Sequence, residues 1–147
     1  MSGWTQDLLV GLAQDLAAAG VVSYRPTGGY LPAETALVFG DLPPAPDRCV
    51  ALTAYASVDD VAINLSRVRV QFYLRGAVGN SLDVGDLNDA LFTALHGLGR
   101  RSYATAYLVD ARRVSAIPMG VDGSRRSEIA ANYELDVNTP ATVGRPA

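Results

Sequence analysis

The stretch 67–75 sets the terms for the rest of the chain. Val68, Val70, Phe72 and Leu74 alternate there with Arg67, Arg69, Gln71, Tyr73 and Arg75, the period of two that gives a strand one apolar and one polar face. The apolar face demands a cover, and the polar face is left to water or to a partner. A second strand of the same kind spans 127–138, where Ile129, Ala131, Tyr133, Leu135 and Val137 alternate with Ala130, Asn132, Glu134 and Asp136.

Two segments have the spacing to supply the cover. Over 5–19, Leu8, Leu9, Leu12, Ala13 and Leu16 fall on one helical face and Gln6, Asp7, Gln14 and Asp15 on the other, with Gly20 as the stop. Over 83–96, Leu87, Leu91 and Leu95, continued by Leu98, form the apolar stripe. Asp83, Asp86 and Asp89 crowd the positive end of that helix, and Gly97 closes it. Shorter strands are predicted at 36–40, 49–55 and 103–117. Between them lie a winding connection (21–32), a loop stiffened by Pro43, Pro44 and Pro46 (41–47), and a hairpin loop (118–126). Residues 139–147 lack periodicity and read as a loose tail. The hairpin, the 24–32 connection and the tail are expected to order on docking. The predicted fold is therefore one α+β domain over 1–147, with an antiparallel or mixed sheet of four to five strands and two helices packed on one face. A length of 147 residues suits one such core.

Composition removes several kinds of chemistry. All twelve basic residues are arginine, so neither a Walker-type phosphate loop nor a Schiff-base lysine is possible. A net charge of -3 opposes general binding to a phosphate backbone. One cysteine, Cys49, and one histidine, His96, exclude an internal disulfide framework and the usual Cys/His zinc sites. Cys49 reads as a buried strand thiol. Gln6, Asp7, Gln14 and Asp15 interrupt the first helix, so neither a signal peptide nor a membrane-spanning helix is expected, and the protein should remain in the cytoplasm where it is made.

The remaining candidates for catalysis have structural roles at hand. His96 would have to be the base of any Ser-His or Cys-His mechanism, yet it sits where a histidine complements a helix C-terminus. The Asp83, Asp86 and Asp89 carboxylates could share a face for metal or acid/base work, and they are equally what a helix N-terminus prefers. No catalytic residue, metal ligand or cofactor is expected. The arginines are distributed differently: Arg67, Arg69 and Arg75 on one strand, Arg112 and Arg113 on another, Arg125 and Arg126 in the hairpin. One reading has Arg69 or Arg113 pairing with Glu134 or Asp136 across the sheet. The other has the polar face meeting another subunit, with Arg67, Arg69, Arg75, Asp83, Asp86, Arg112, Arg113, Arg125, Arg126, Glu134 and Asp136 as candidate interface residues.

Several stretches together resemble a known group. They are Leu8-Leu9-Val10-Gly11-Leu12-Ala13, Tyr24-Arg25-Pro26, Leu42-Pro43-Pro44-Ala45-Pro46-Asp47, Val70-Gln71-Phe72-Tyr73-Leu74-Arg75-Gly76, Asp86-Leu87-Asn88-Asp89-Ala90-Leu91, Leu95-His96-Gly97, Gly120-Val121-Asp122-Gly123-Ser124-Arg125 and Asn132-Tyr133. Across about residues 5–138 the chain resembles the small minor capsid and tail-terminator (neck) proteins of long-tailed actinobacteriophages. The resemblance implies an α+β virion subunit, assembled in the host cytoplasm, that forms a six-membered ring capping the tail tube. The ring would join the tube to head-completion proteins, DNA would pass through its lumen without specific binding, and no membrane, cofactor or catalytic residue would be involved. A head-closure or tail-completion protein, and a small cytoplasmic ligand-binding or adaptor module, are the alternatives.

Overall fold

The computed structural model describes residues 2–144. Its elements in chain order are α1 (Trp4–Ala18), β1 (Ala36–Phe39), β2 (Cys49–Asp59), β3 (Leu65–Val78), α2 (Asp83–Leu95), β4 (Arg101–Tyr103), β5 (Ala106–Val121) and β6 (Arg126–Asn138). All six strands join one sheet in the order β1-β2-β3-β6-β5-β4. The β1–β2 pair is parallel and every other pair antiparallel, so the sheet is mixed.

The alternation in β3 does what it predicts. Val68, Val70, Phe72 and Leu74 are at most 2% exposed and meet Leu135, Tyr133, Ala131 and Ile129 of β6 in register. Phe72 and Tyr133 contact edge to face at 5.5 Å and 82°, a geometry worth about 1 kcal/mol beyond the area buried. Leu8, Leu12 and Leu16 of α1 and Leu87, Leu91 and Leu95 of α2 complete the same core. Helix α1 lies against β2, β4 and β5, and α2 against β3, β5 and β6. Gly20, at φ 79°, turns the chain out of α1, and the Val21 N–H donates back to the Leu16 carbonyl.

The structure has six strands where the sequence predicted four to five, because a separate short strand, β4, precedes the strand predicted over 103–117 and meets it only at Tyr103. Ala104, at φ 51°, makes the turn between β4 and β5, and an alanine carries no turn signal. The hairpin is also tighter than predicted. Strands β5 and β6 run to Val121 and from Arg126, so only 122–125 is turn, and Pro118 and Gly120 sit at a bulge in β5. Proline and glycine within an outer strand mark a bulge as readily as a loop. The turn is built on Asp122, whose Oδ1 accepts the Ser124 and Arg126 N–H groups at 2.9 Å. Chiefly the Arg126 backbone bond holds its carboxyl below the usual range, against a smaller opposing effect of burial.

The 24–32 connection is tied as well. Arg25 pairs with Glu34 at 3.0 Å, and the Tyr30 hydroxyl donates to the Leu37 carbonyl. Of the segment expected as a tail, 140–144 lies outside regular structure and 145–147 lies outside the described residues.

Candidate assembly surface

The helices cover one face of the sheet, and the other face carries the polar alternates of β3 and β6. Register sets Arg67 opposite Asp136 and Arg69 opposite Glu134, with Arg112 of β5 opposite Glu134 from the other side. The result is a small charge lattice. Arg112 lies 2.6 Å from Glu134 and 3.3 Å from Asp136, Arg67 3.1 Å from Asp136, and Arg69 3.1 Å from Glu134. Asp110 adds a longer contact to Arg112 at 3.8 Å. Three guanidinium groups thus face three carboxylates and cancel.

This lattice depresses both central acids. Glu134 is lowered chiefly by the hydrogen bond from Arg112, with Arg69 contributing. For Asp136 the largest effect, burial, would raise it, and the bonds from Arg112 and Arg67 more than offset that. A carboxyl that binds its proton more weakly when folded lends stability in full above its unfolded pKa of about 4 and loses it as pH falls further. Replacing Arg112 with alanine should therefore cost about 1 kcal/mol at neutral pH, the scale of half-exposed pairs. The thermal midpoints of variant and parent should converge as pH is lowered from about 6 to about 3, which calorimetry across that range would check.

The other residues singled out from the sequence fall into two groups. Arg75, Arg126 and Asp83 are engaged inside the subunit. Arg75 is 3% exposed and donates to the Asp47 and Pro46 carbonyls at 2.8 and 2.7 Å. Arg126 bonds Asp122, Asp47 and the Pro44 carbonyl. Asp83 accepts from Arg48 and from the Ala77 N–H, both at 2.8 Å. Arg113, Arg125 and Asp86 form no ion pair among the described residues. The Arg113 guanidinium lies 4.3 Å over the Phe92 ring, which itself stacks on His96 at 4.5 Å. His96 caps the C-terminus of α2, and its Nδ1 accepts the Arg113 N–H at 3.0 Å. The cross-strand pairing expected of Arg69 is present, while Arg112, and not Arg113, completes the acids' coordination. The bulge between Leu108 and Asp110 shifts the alternation of β5, so that Arg112 stands on the polar face and Arg113 on the side of the helices.

Asp83 is held by Arg48, and among the described residues no group of three His, Cys, Asp or Glu side chains could hold a metal. Cys49 is buried, and burial pushes its thiol pKa up. No helix of the described residues is long and apolar enough to cross a membrane. A groove of about 660 Å³ opens on the polar face beside β2, lined by Asp41, Thr53, Tyr55, Gln71, Tyr73 and Glu128 among others.

Sequence reasoning missed two features. One is the set of ties from α1 to the β4–β5 turn: Tyr103 to Asp15 at 2.5 Å and Thr105 to Asp7. The other is apolar exposure at the strand ends, where Tyr55, Val58, Ile117, Met119 and Val121 are half or more exposed. Alternating apolar residues in β5 would have revealed the second had the strand been extended past Ile117.

The sequence matches the family described as "Bacteriophage tail terminator protein" over residues 15–139. No curated protein matches it. Its fold is similar to that of a chain in the solved structure "Virion of native gene transfer agent (GTA) particle", with a TM-score of 0.57 and 16% identity over 92% of this chain and 91% of that one. With the family match running through most of its length, the chain belongs to the bacteriophage tail terminator family and is a structural protein of the virion tail.

Proposed function

We propose that this protein is the tail terminator subunit of a tailed phage or phage-like particle. Six copies form a ring that caps the tail tube, stops its growth and offers its far side to the head-completion proteins of the neck. The family match over 15–139 carries this reading. The surface supports it in two ways. The charges of the open sheet face cancel within the subunit, leaving no basic track for phosphates, and the net charge of -3 repels DNA passing through a lumen. Arg113, Arg125 and Asp86 have no ion pair among the described residues, and Arg67 and Arg69 stay about half exposed at their side chains. A cyclic ring uses two different patches per subunit, which a protein with unlike margins can supply.

Sedimentation velocity tests the assembly directly. The purified chain, alone or mixed with its tail-tube protein, is expected to sediment as a six-fold assembly or to co-sediment with tubes. A chain that stays monomeric and never engages tubes contradicts the proposal.

A further inference from the structure

The sheet is unfinished at two diagonally opposite corners. On one margin, β1 covers β2 only as far as Leu52, and the outer edge over 53–59 has no strand beside it among the described residues. On the other margin, β4 covers β5 only over Ala106 to Leu108. The Gly97 N–H and the His96 ring engage Ala111 and Arg113, and the edge over 114–121 is then open. Register places Thr53 and Ser115 on one row, through Gln71 and Asn132. From that row the β2 edge runs toward one end of the sheet and the β5 edge toward the other.

We propose that β2 of one subunit pairs along its free edge with β5 of the next, so that the sheet continues from copy to copy around the ring. This rests on the ring reading above. Three observations carry it. First, polarity fits: β3 and β5 run opposite to β2 and β6, so two copies sharing one ring axis bring β2 and β5 together antiparallel, the favoured sense for neighbouring strands. Second, the covered corners interlock. Joining the free edges slides each copy by about six residues, roughly 20 Å, which places β1 of one copy beyond the β5–β6 turn of its neighbour. A stagger of this kind is what a closed ring of tilted strands requires.

Third, the side chains are complementary. The β2 edge exposes Tyr55 and Val58 (72%), and the β5 edge exposes Val114, Ile117, Met119 and Val121 (64%), apolar surface suited to burial between copies. Asp41, Asp59 and Asp60 flank the first edge and Arg113 and Arg125 the second, and none of the five has an ion pair within the subunit among the described residues. Antiparallel alignment brings Asp59 and Asp60 toward Arg113, and Asp41 toward Arg125. Pro118 removes one donor from the β5 edge, a device that disfavours indiscriminate strand addition while leaving 115–117 in unbroken register.

Amide hydrogen exchange on assembled rings, compared with the dispersed chain, tests this. Exchange should slow at least about tenfold in both 53–59 and 114–121. A second measurement uses cysteines placed by Val58→Cys and Ile117→Cys, both on the polar face of the sheet. The double variant should oxidise to a ladder reaching six chains, and each single variant to nothing beyond a dimer. Rings that form with both edges exchanging as in the dispersed chain, or with only one edge protected, overturn the edge pairing and leave the ring intact. Failure of any ring to form, alone or on tubes, overturns both.

Discussion

Replacing Arg75 with alanine is expected to destabilise the protein by about 3 kcal/mol, seen as a lower urea midpoint at unchanged slope. The reason lies in where the guanidinium sits. It is 3% exposed, and its two bonds go to the carbonyls of Pro46 and Asp47, in the proline-rich loop that leads into β2. Removing it strips a buried pair of acceptors of a charged donor, and each such loss costs about 1–3 kcal/mol. Arg126 holds the same loop at the Pro44 carbonyl, so the loop should loosen without being released. A lysine at position 75 should recover only part of the loss, since one ammonium cannot present the guanidinium's fork to two carbonyls. A change below about 0.5 kcal/mol, the range of ordinary surface substitutions, would refute this role.

The second large effect comes from a glycine in a helix. Gly11→Ala would ordinarily help α1 by about 1 kcal/mol, because glycine is the poorer helix former. Here an added Cβ would lie 2.2 Å from Tyr103 Cγ and 2.3 Å from its Cδ1. The ring cannot withdraw freely, because its hydroxyl is bonded to Asp15 one turn further along the same helix. The substitution should therefore cost about 2–3 kcal/mol, the penalty of overpacking a closed contact. Gly85 in α2 is the control: a Cβ there meets nothing within 4 Å, and Gly85→Ala should be stabilising by up to about 1 kcal/mol. Thermal midpoints of the two variants should move in opposite directions.

The two glycines also show how far the sequence could be read. Both sit in amphipathic segments of similar appearance, and only the crossing of α1 over Tyr103 separates them. The elements with strong periodicity, β3, β6, α1 and α2, were legible because each buries one face and the pattern records it. The short strand β4 was not, since it is three residues long and is bounded by an alanine in the left-handed region. The extent of β5 was hidden by Pro118 and Gly120, which read as loop in a sequence and form a bulge in the sheet.

The candidate surface was legible in part. Alternation foretold that Arg67, Arg69, Glu134 and Asp136 share a face. It gave no sign that Arg75, on the same alternation, would turn to backbone carbonyls, nor that a bulge would exchange the parts of Arg112 and Arg113. Which strand margins stay uncovered depends on the lengths of β1 and β4 and on their placement, properties of the assembled sheet that no local pattern encodes.

Electron microscopy of growing tail tubes to which the purified protein is added shows whether it terminates them. A six-fold ring at one end of each tube and no further elongation are expected. Tubes that keep growing with bare ends while the protein stays free in solution would contradict this role.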